Sequence, residues 1–187
     1  MQIKKVEFLR VLLGNSERFT FLSEYLRKVQ TICDFSCSVH IKDSKTSNQM
    51  EKRYYFDTSI WLDFLENRNE PNWNKGEQIG ILLEKCALEK IRVVYSNIIV
   101  QELHENGHPI YLLREPFFAL RFILFFVRAS AKQVRRAKDL SAKRQLPWAD
   151  AVHALIARDL NAILVSRDKH FEQLRDIVQS RRPEELI

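Results

Sequence analysis

Four acidic side chains in this chain stand where a folded protein can use them. Asp57 closes a short apolar run, Tyr54-Tyr55-Phe56, at the point where a strand gives way to a helix. Glu102 lies inside the helical stretch that follows the β-branched run Ile91 to Tyr95. Asp150 falls in the first turn of a helix opened by Pro147, and Asp168 just past the apolar run Ala162 to Val165. Each has an ordinary structural use. Asp57 can cap a helix, Asp150 can complement a helix dipole, Asp168 can make a turn, and Glu102 can be a solvated helix residue. Together they say more. In an open α/β sheet, ligand sites gather beyond the carboxyl ends of the strands, which is where these acids fall. Carboxylates crowded there repel one another and raise their own pKa values unless a cation joins them. With neither Cys nor His among the four, a hard divalent ion such as Mg2+ or Mn2+ is the expected partner.

The elements that would position these acids can be read from apolar spacing. Strand-like runs are expected at 54–56, 91–95, 123–127 and 162–165, with Ile177-Val178 as an edge strand. Helices are expected from Ile60 to Leu65, Gly76 to Glu89, Asn97 to Glu105, Ser130 to Arg144, Pro147 to Ile156 and Phe171 to Leu174. The apolar run Phe117 to Val127 reads as a buried strand or helix. The strands lack clean alternation, as strands covered on both faces do. The expected fold is a three-layer α/β/α sandwich around a mainly parallel sheet of four to five strands. Ahead of it, residues 1 to about 31 read as helical, and Asp34 to Arg53 has linker composition.

A chain of 187 residues with 29% charged side chains and 45% hydrophobic ones can bury a real core, so disordered and fibrous classes are excluded. Phe117 to Val127 is half a membrane span and is interrupted by Arg121. A soluble, cytoplasmic protein is therefore expected, with no membrane partner. Cys33, Cys37 and Cys86 form an odd set without the spacing of a zinc site or a secreted framework, and reduced thiols are expected. No Gly-rich phosphate loop is present, and Asp57 lacks the second Asp two residues on that haloacid-type phosphatases need.

Four stretches carry a family resemblance. Phe56-Asp57-Thr58-Ser59-Ile60-Trp61-Leu62-Asp63 resembles the opening strand and loop of PIN-domain nucleases. Ser96 to Leu103, Leu146 to Ala154 and Ile163 to Phe171 are similar to their second, third and fourth motifs, in the same order. The nearest subgroup is the VapC-type toxins of prokaryotic toxin–antitoxin pairs. The resemblance covers about Glu51 to Ile187 and implies a PIN-like nuclease domain over residues 50–187. It implies Asp57, Asp150 and Asp168 as metal-facing carboxylates and Glu102 as the fourth acid of the set. It further implies Ser166 as a hydroxyl helper, with Ser59 in a weaker role of the same kind. The implied activity is Mg2+- or Mn2+-dependent hydrolysis of RNA, with a cognate antitoxin and a second copy of the chain as partners. A catalytically silent PIN-like module that binds RNA or protein is the alternative, although all four acids are present. His153 reads as a packed or surface residue rather than a catalytic one.

Two features concern partners. Lys132, Arg135, Arg136, Lys138, Lys143 and Arg144 crowd the helix before Pro147, either as a solvated face or as a grip on phosphates. Lys169 and His170, beside Asp168, are further candidate contacts. Residues 1–49 hold eight basic and five acidic side chains of the total 30 and 24, which leaves 22 against 19 elsewhere; the positive charge is local. Residues 1–49 themselves read as a helical extension, or as a mis-assigned leader if translation starts at Met50. The apolar set Leu62, Leu65, Leu82 and Leu83 reads as core, or else as a dimer surface.

Overall fold

The computed structural model describes residues 16–39 and 51–187. Five strands, β1 (Arg53–Phe56), β2 (Arg92–Ser96), β3 (Leu124–Val127), β4 (Ile163–Val165) and β5 (Ser180–Arg181), form one sheet in the order β3-β2-β1-β4-β5. All four pairings are parallel, with Tyr54 opposite Val93 on one side and Ile163 on the other. Parallel strands need crossovers, and helices supply them. α1 (Ser16–Val39) precedes the sheet. α2 (Thr58–Leu65) and α3 (Lys75–Leu88) join β1 to β2; α4 (Asn97–Glu105) and α5 (Ile110–Ala119) join β2 to β3. α6 (Ala131–Arg144) and α7 (Trp148–Asp159) carry the chain back across to β4, and a 3-10 segment (Lys169–Leu174) leads to β5.

Chain order fixes the layers. The first two crossovers step one way along the sheet and the third steps the other way, so right-handed connections put α2–α5 on one face and α6–α7 on the opposite face. The three-layer α/β/α expectation therefore holds. β1 is central, and Tyr54, Tyr55 and Phe56 are all essentially buried, as a strand covered on both sides demands. Burying an aromatic side chain of this kind contributes about 2–3 kcal/mol. Leu62, Leu65, Leu82 and Leu83 are core as well, so exposed apolar surface lies elsewhere, at Tyr111, Phe118, Phe125 and Phe126 near the β3 edge.

The boundaries differ from the expectation in three places. α5 escapes a reading by spacing, because Pro109 and Pro116 disguise it. Pro109 is the residue before the helix starts, and Pro116 lies inside it, where a ring without an N–H argues against a helix. The run Phe117 to Val127 is therefore neither one strand nor one helix, but the end of α5, a turn and β3. The edge strand is Ser180–Arg181 rather than Ile177-Val178; Val178 instead turns into the core, and its polar successors take the ladder bonds beside β4. α1 also continues to Val39, past the Asp34 at which linker composition begins. The expected apolar face at Val6 to Leu13 and the side chains of Cys33 and Cys37 lie outside the described residues. Cys86 is a buried free thiol whose pKa burial raises to about 12. Among the described residues no helix is long and apolar enough to cross a membrane.

α1 joins the core through Leu22, Tyr25, Leu26 and Val29 and lies against α3. The close approach depends on a missing side chain: a Cβ on Gly80 would collide with the ring of Tyr25. Gly80→Val is expected to force the ring aside and destabilise the protein by about 1–3 kcal/mol. Thermal melting checks this, and an unchanged midpoint would contradict the packing of α1 on α3.

Candidate active site

β1 and β4 are neighbours whose onward connections leave in opposite directions, and the crevice beyond their carboxyl ends is where such sheets bind ligands. Asp57 enters that crevice directly from β1. Its backbone N–H still donates to Val165 O at 3.0 Å, continuing the β1–β4 ladder by one residue. Its side chain then does three things at once. One oxygen accepts from the Thr58 N–H at 2.7 Å, capping α2. The other accepts from the Ser59 hydroxyl at 2.8 Å and from the Ser166 hydroxyl at 3.0 Å. The capping and the site readings of Asp57 are compatible, since the cap fixes the carboxylate's position.

Ser166 and Asp168 leave β4 together. The Ser166 oxygen accepts from the Asp168 N–H at 3.0 Å, and Asp168 in turn accepts from the His170 N–H at 2.8 Å to start the 3-10 segment. Asp150 reaches the same crevice from the first turn of α7. Its carboxylate lies 3.1 Å from His170 Nδ1, which is also 3.3 Å from Asp168. Burial, followed by the charges of Asp57 and Asp168, pushes the Asp150 carboxyl up to about 6. Carboxylates that feel one another this strongly occupy one electrostatic site.

Glu102 comes from α4 and accepts from the Thr58 hydroxyl at 2.5 Å and from His153 Nε2 at 2.9 Å. Burial alone would raise its pKa, but the hydrogen bond and charge of His153, with the Thr58 hydroxyl, lower it instead. His153 is fully buried, and its Nδ1 lies 2.8 Å from the Tyr55 hydroxyl, which lies 2.8 Å from Ser96 Oγ. Burial favours a neutral imidazole. Its bond to Glu102 and the charges of Asp57, Glu102 and Asp150 prevail, raising its pKa. When protonated, the ring donates from Nε2 to Glu102 and from Nδ1 to Tyr55, which leaves the Tyr55 hydroxyl to donate to Ser96. His153 is thus packed, as expected, and not on the surface; it is also a part of the site that sequence reasoning misses.

Arg167 is the second omission. It sits between Ser166 and Asp168 and points the other way, bonding Asp63 of α2, Gln78 at 3.1 Å and Glu184 at 2.6 and 2.9 Å. This half-buried fork holds the β4 exit loop to α2 and to the chain's last turn. Thr58 is the other residue missed, while His170, expected as a substrate contact, lies between Asp150 and Asp168. The only sequence signal for Thr58 is adjacency to Asp57.

The four acids, Ser59 and Ser166 are thus brought to one crevice, whereas the basic face of α6 is not bonded to them. Lys132, Arg135, Arg136, Lys138 and Lys143 are exposed on α6. Arg144 commits its guanidinium to Asp176, at 2.7 and 2.6 Å, and to the Gln173 carbonyl. Lys169 is exposed beside Asp168.

A parallel sheet of this order with carboxylates at its β1/β4 crevice defines a class. The chain belongs to the PIN domain family, whose model matches residues 54–177 and so spans all four acids. Among solved structures it is similar to VapBC2 from Rickettsia felis, bound to a DNA fragment from its promoter. That match has 17% identity and a TM-score of 0.50, and covers 70% of this chain and 98% of the other. It is also similar to VapBC-1 from nontypeable Haemophilus influenzae, with 21% identity and a TM-score of 0.51, over 71% and 98% of the two chains. At these identities the likeness is one of fold. Comparison with curated protein sequences gives no match.

Asp150 carries a sign that can be checked. A carboxyl whose folded pKa lies above its ordinary 3.8 stabilises the protein fully below pH ~3.8, and that contribution is lost as pH rises through about 6. Asp150→Asn is therefore expected to stabilise the metal-free protein at pH 7, by on the order of 1–2 kcal/mol after solvent screening, and to change its stability little at pH 4. Melting at both pH values tests this; a variant less stable at pH 7 would contradict it.

Proposed function

We propose that this protein is a divalent-metal-dependent endoribonuclease of the toxin type, acting on RNA phosphodiester bonds. The observation that carries the reading is the meeting of four carboxylates, from β1, α4, α7 and the β4 exit, in one crevice of a PIN-family chain. The donor set fits a hard cation. Oxygens of Asp150 and Asp168 and a nitrogen of His170 lie within 4.8 Å of one another, and the charges of Asp57 and Asp168 add to burial in raising the pKa of Asp150. Asp57, Asp150 and Asp168 would hold Mg2+ or Mn2+, with Glu102 completing the acidic set. Such an ion supplies the positive charge that binds a scissile phosphate and makes a bound water acidic.

The chain's own residues do the positioning. Ser59 and Ser166 fix one oxygen of Asp57, and Thr58 with His153 fixes Glu102, so each acid presents its remaining lone pairs to the crevice. No side-chain nucleophile is required, because water attacks. Residues 50–187 are read as the nuclease unit and residues 1–49 as an extension whose helix α1 packs on it. An antitoxin protein and a second copy of the chain are the partners this reading implies. A cytoplasmic location follows from the same reading.

The test is direct. Purified protein with mixed RNA is expected to cleave it with Mn2+ and to stop with EDTA. Asp57→Asn and Asp150→Asn are each expected to lose more than about 100-fold in rate, because even outer-shell partners of a metal site cost about 10–100-fold. Thr58→Ala and His153→Gln are expected within that outer-shell range. RNA held tightly but left intact under Mn2+ would instead establish a silent binding module.

A further inference from the structure

The carboxylate crevice does not end at Asp168. It continues into a cleft of about 500 Å3 walled by the 3-10 segment, β5 and the residues after it. Ser166, Arg167 and Asp168 form its inner end, and Lys169, Arg175, Arg181 and Arg182 line it against Glu172 and Glu185. Arg167 is neutralised by Asp63 and Glu184. Arg175 reaches Glu172 at 3.7 Å and Arg181 reaches Glu185 at 3.1 Å, all four side chains being well exposed. Exposed pairs of this kind are worth about 0–1 kcal/mol, so an incoming anion can exchange for the carboxylate at little cost. Lys169 and Arg182 have no such partner among the described residues. The cleft is thus a run of cations that begins beside one of the site's own acids.

We propose that this cleft holds the sugar–phosphate backbone of single-stranded RNA next to the cleavage point, with Lys169 and Arg182 as the principal phosphate contacts. The inference rests on reading the carboxylate cluster as a ribonuclease centre, and names where that centre's substrate lies. Three features favour an extended polyanion over a small one. The cations come from two elements, Lys169 and Arg175 from the 3-10 segment and its end, Arg181 and Arg182 from β5 and its end. The cleft is open to solvent and has Asp168 of the acidic set in its lining. Its lining contains no aromatic side chain on which a base can stack, so it grips the backbone and leaves sequence to other parts of the protein. The α6 cations, by contrast, stand exposed on a single helix and are not bonded to the acids, and Arg144 is already engaged by Asp176.

Fluorescence anisotropy with a labelled single-stranded oligoribonucleotide reads the proposal on the full chain carrying Asp150→Asn. That background leaves the RNA intact. Adding Lys169→Glu and Arg182→Glu is expected to weaken binding at least about tenfold. The slope of log affinity against log salt is expected to fall by about 1.4, roughly 0.7 for each single-strand phosphate that the protein no longer neutralises. Lys132→Glu with Arg135→Glu on α6 is expected to change the affinity less than about twofold. If the double reversal melts early, Lys169→Gln with Arg182→Gln gives the same reading with intact fold. Unchanged affinity and slope overturn the proposal and leave the cleft to another anion, such as an acidic protein segment. Because affinity is read without cleavage, failure of wild-type protein to cut RNA would sink the nuclease reading and leave this result standing.

Discussion

The structure turns on the repulsion between carboxylates gathered at one end of one strand pair. Four acids from distant segments share the crevice beyond β1 and β4, where burial first, and then the charges of Asp57 and Asp168, raise the pKa of Asp150. Sheet order creates the crevice. Because β1 and β4 send their chains in opposite directions, no helix closes over their shared carboxyl end. The acids stay because each is tied down by a neutral or cationic neighbour: Ser59 and Ser166 for Asp57, His170 for Asp150, and Thr58 with His153 for Glu102. These ties hold the oxygens in place without cancelling the charge.

The same constraint explains why single residues carry both structure and site. Asp57 caps α2 with one oxygen and takes the Ser59 and Ser166 hydroxyls on the other. Asp168 caps the 3-10 segment from the edge of the site. Arg167 faces away from the acids, yet it anchors the loop that carries Asp168 to α2 and to the last turn of the chain. A change at Asp63 or Glu184 therefore bears on the loop that aims Asp168.

Much of this is legible in the sequence, and the reasons for the rest are physical. The sheet's inner strands can be read because β1, β2 and β4 are continuous apolar runs ended by polar residues. β5 cannot, since two residues beside a short strand leave no pattern, and the apolar pair Ile177-Val178 just before it serves packing instead. α5 is hidden by its prolines. At the site, the acids can be found because each follows a recognisable element boundary. His153 is underestimated from sequence because what makes it part of the site is its partners, Glu102 and Tyr55, each about fifty to a hundred positions away. Charge alone suggests Arg144 as a phosphate contact, and nothing local announces that Asp176 takes up its guanidinium. Pairings of that kind belong to the fold and cannot be read from spacing.

The central claim is that these oxygens jointly capture one or more divalent cations. Titration calorimetry of Mn2+ into the wild-type chain and into Asp57→Asn measures that capture without RNA or turnover. The account predicts a saturable Mn2+ isotherm for the wild type that Asp57→Asn weakens at least about tenfold. A wild-type chain that takes up no Mn2+, or one whose affinity is indifferent to the Asp57 carboxylate, would contradict it.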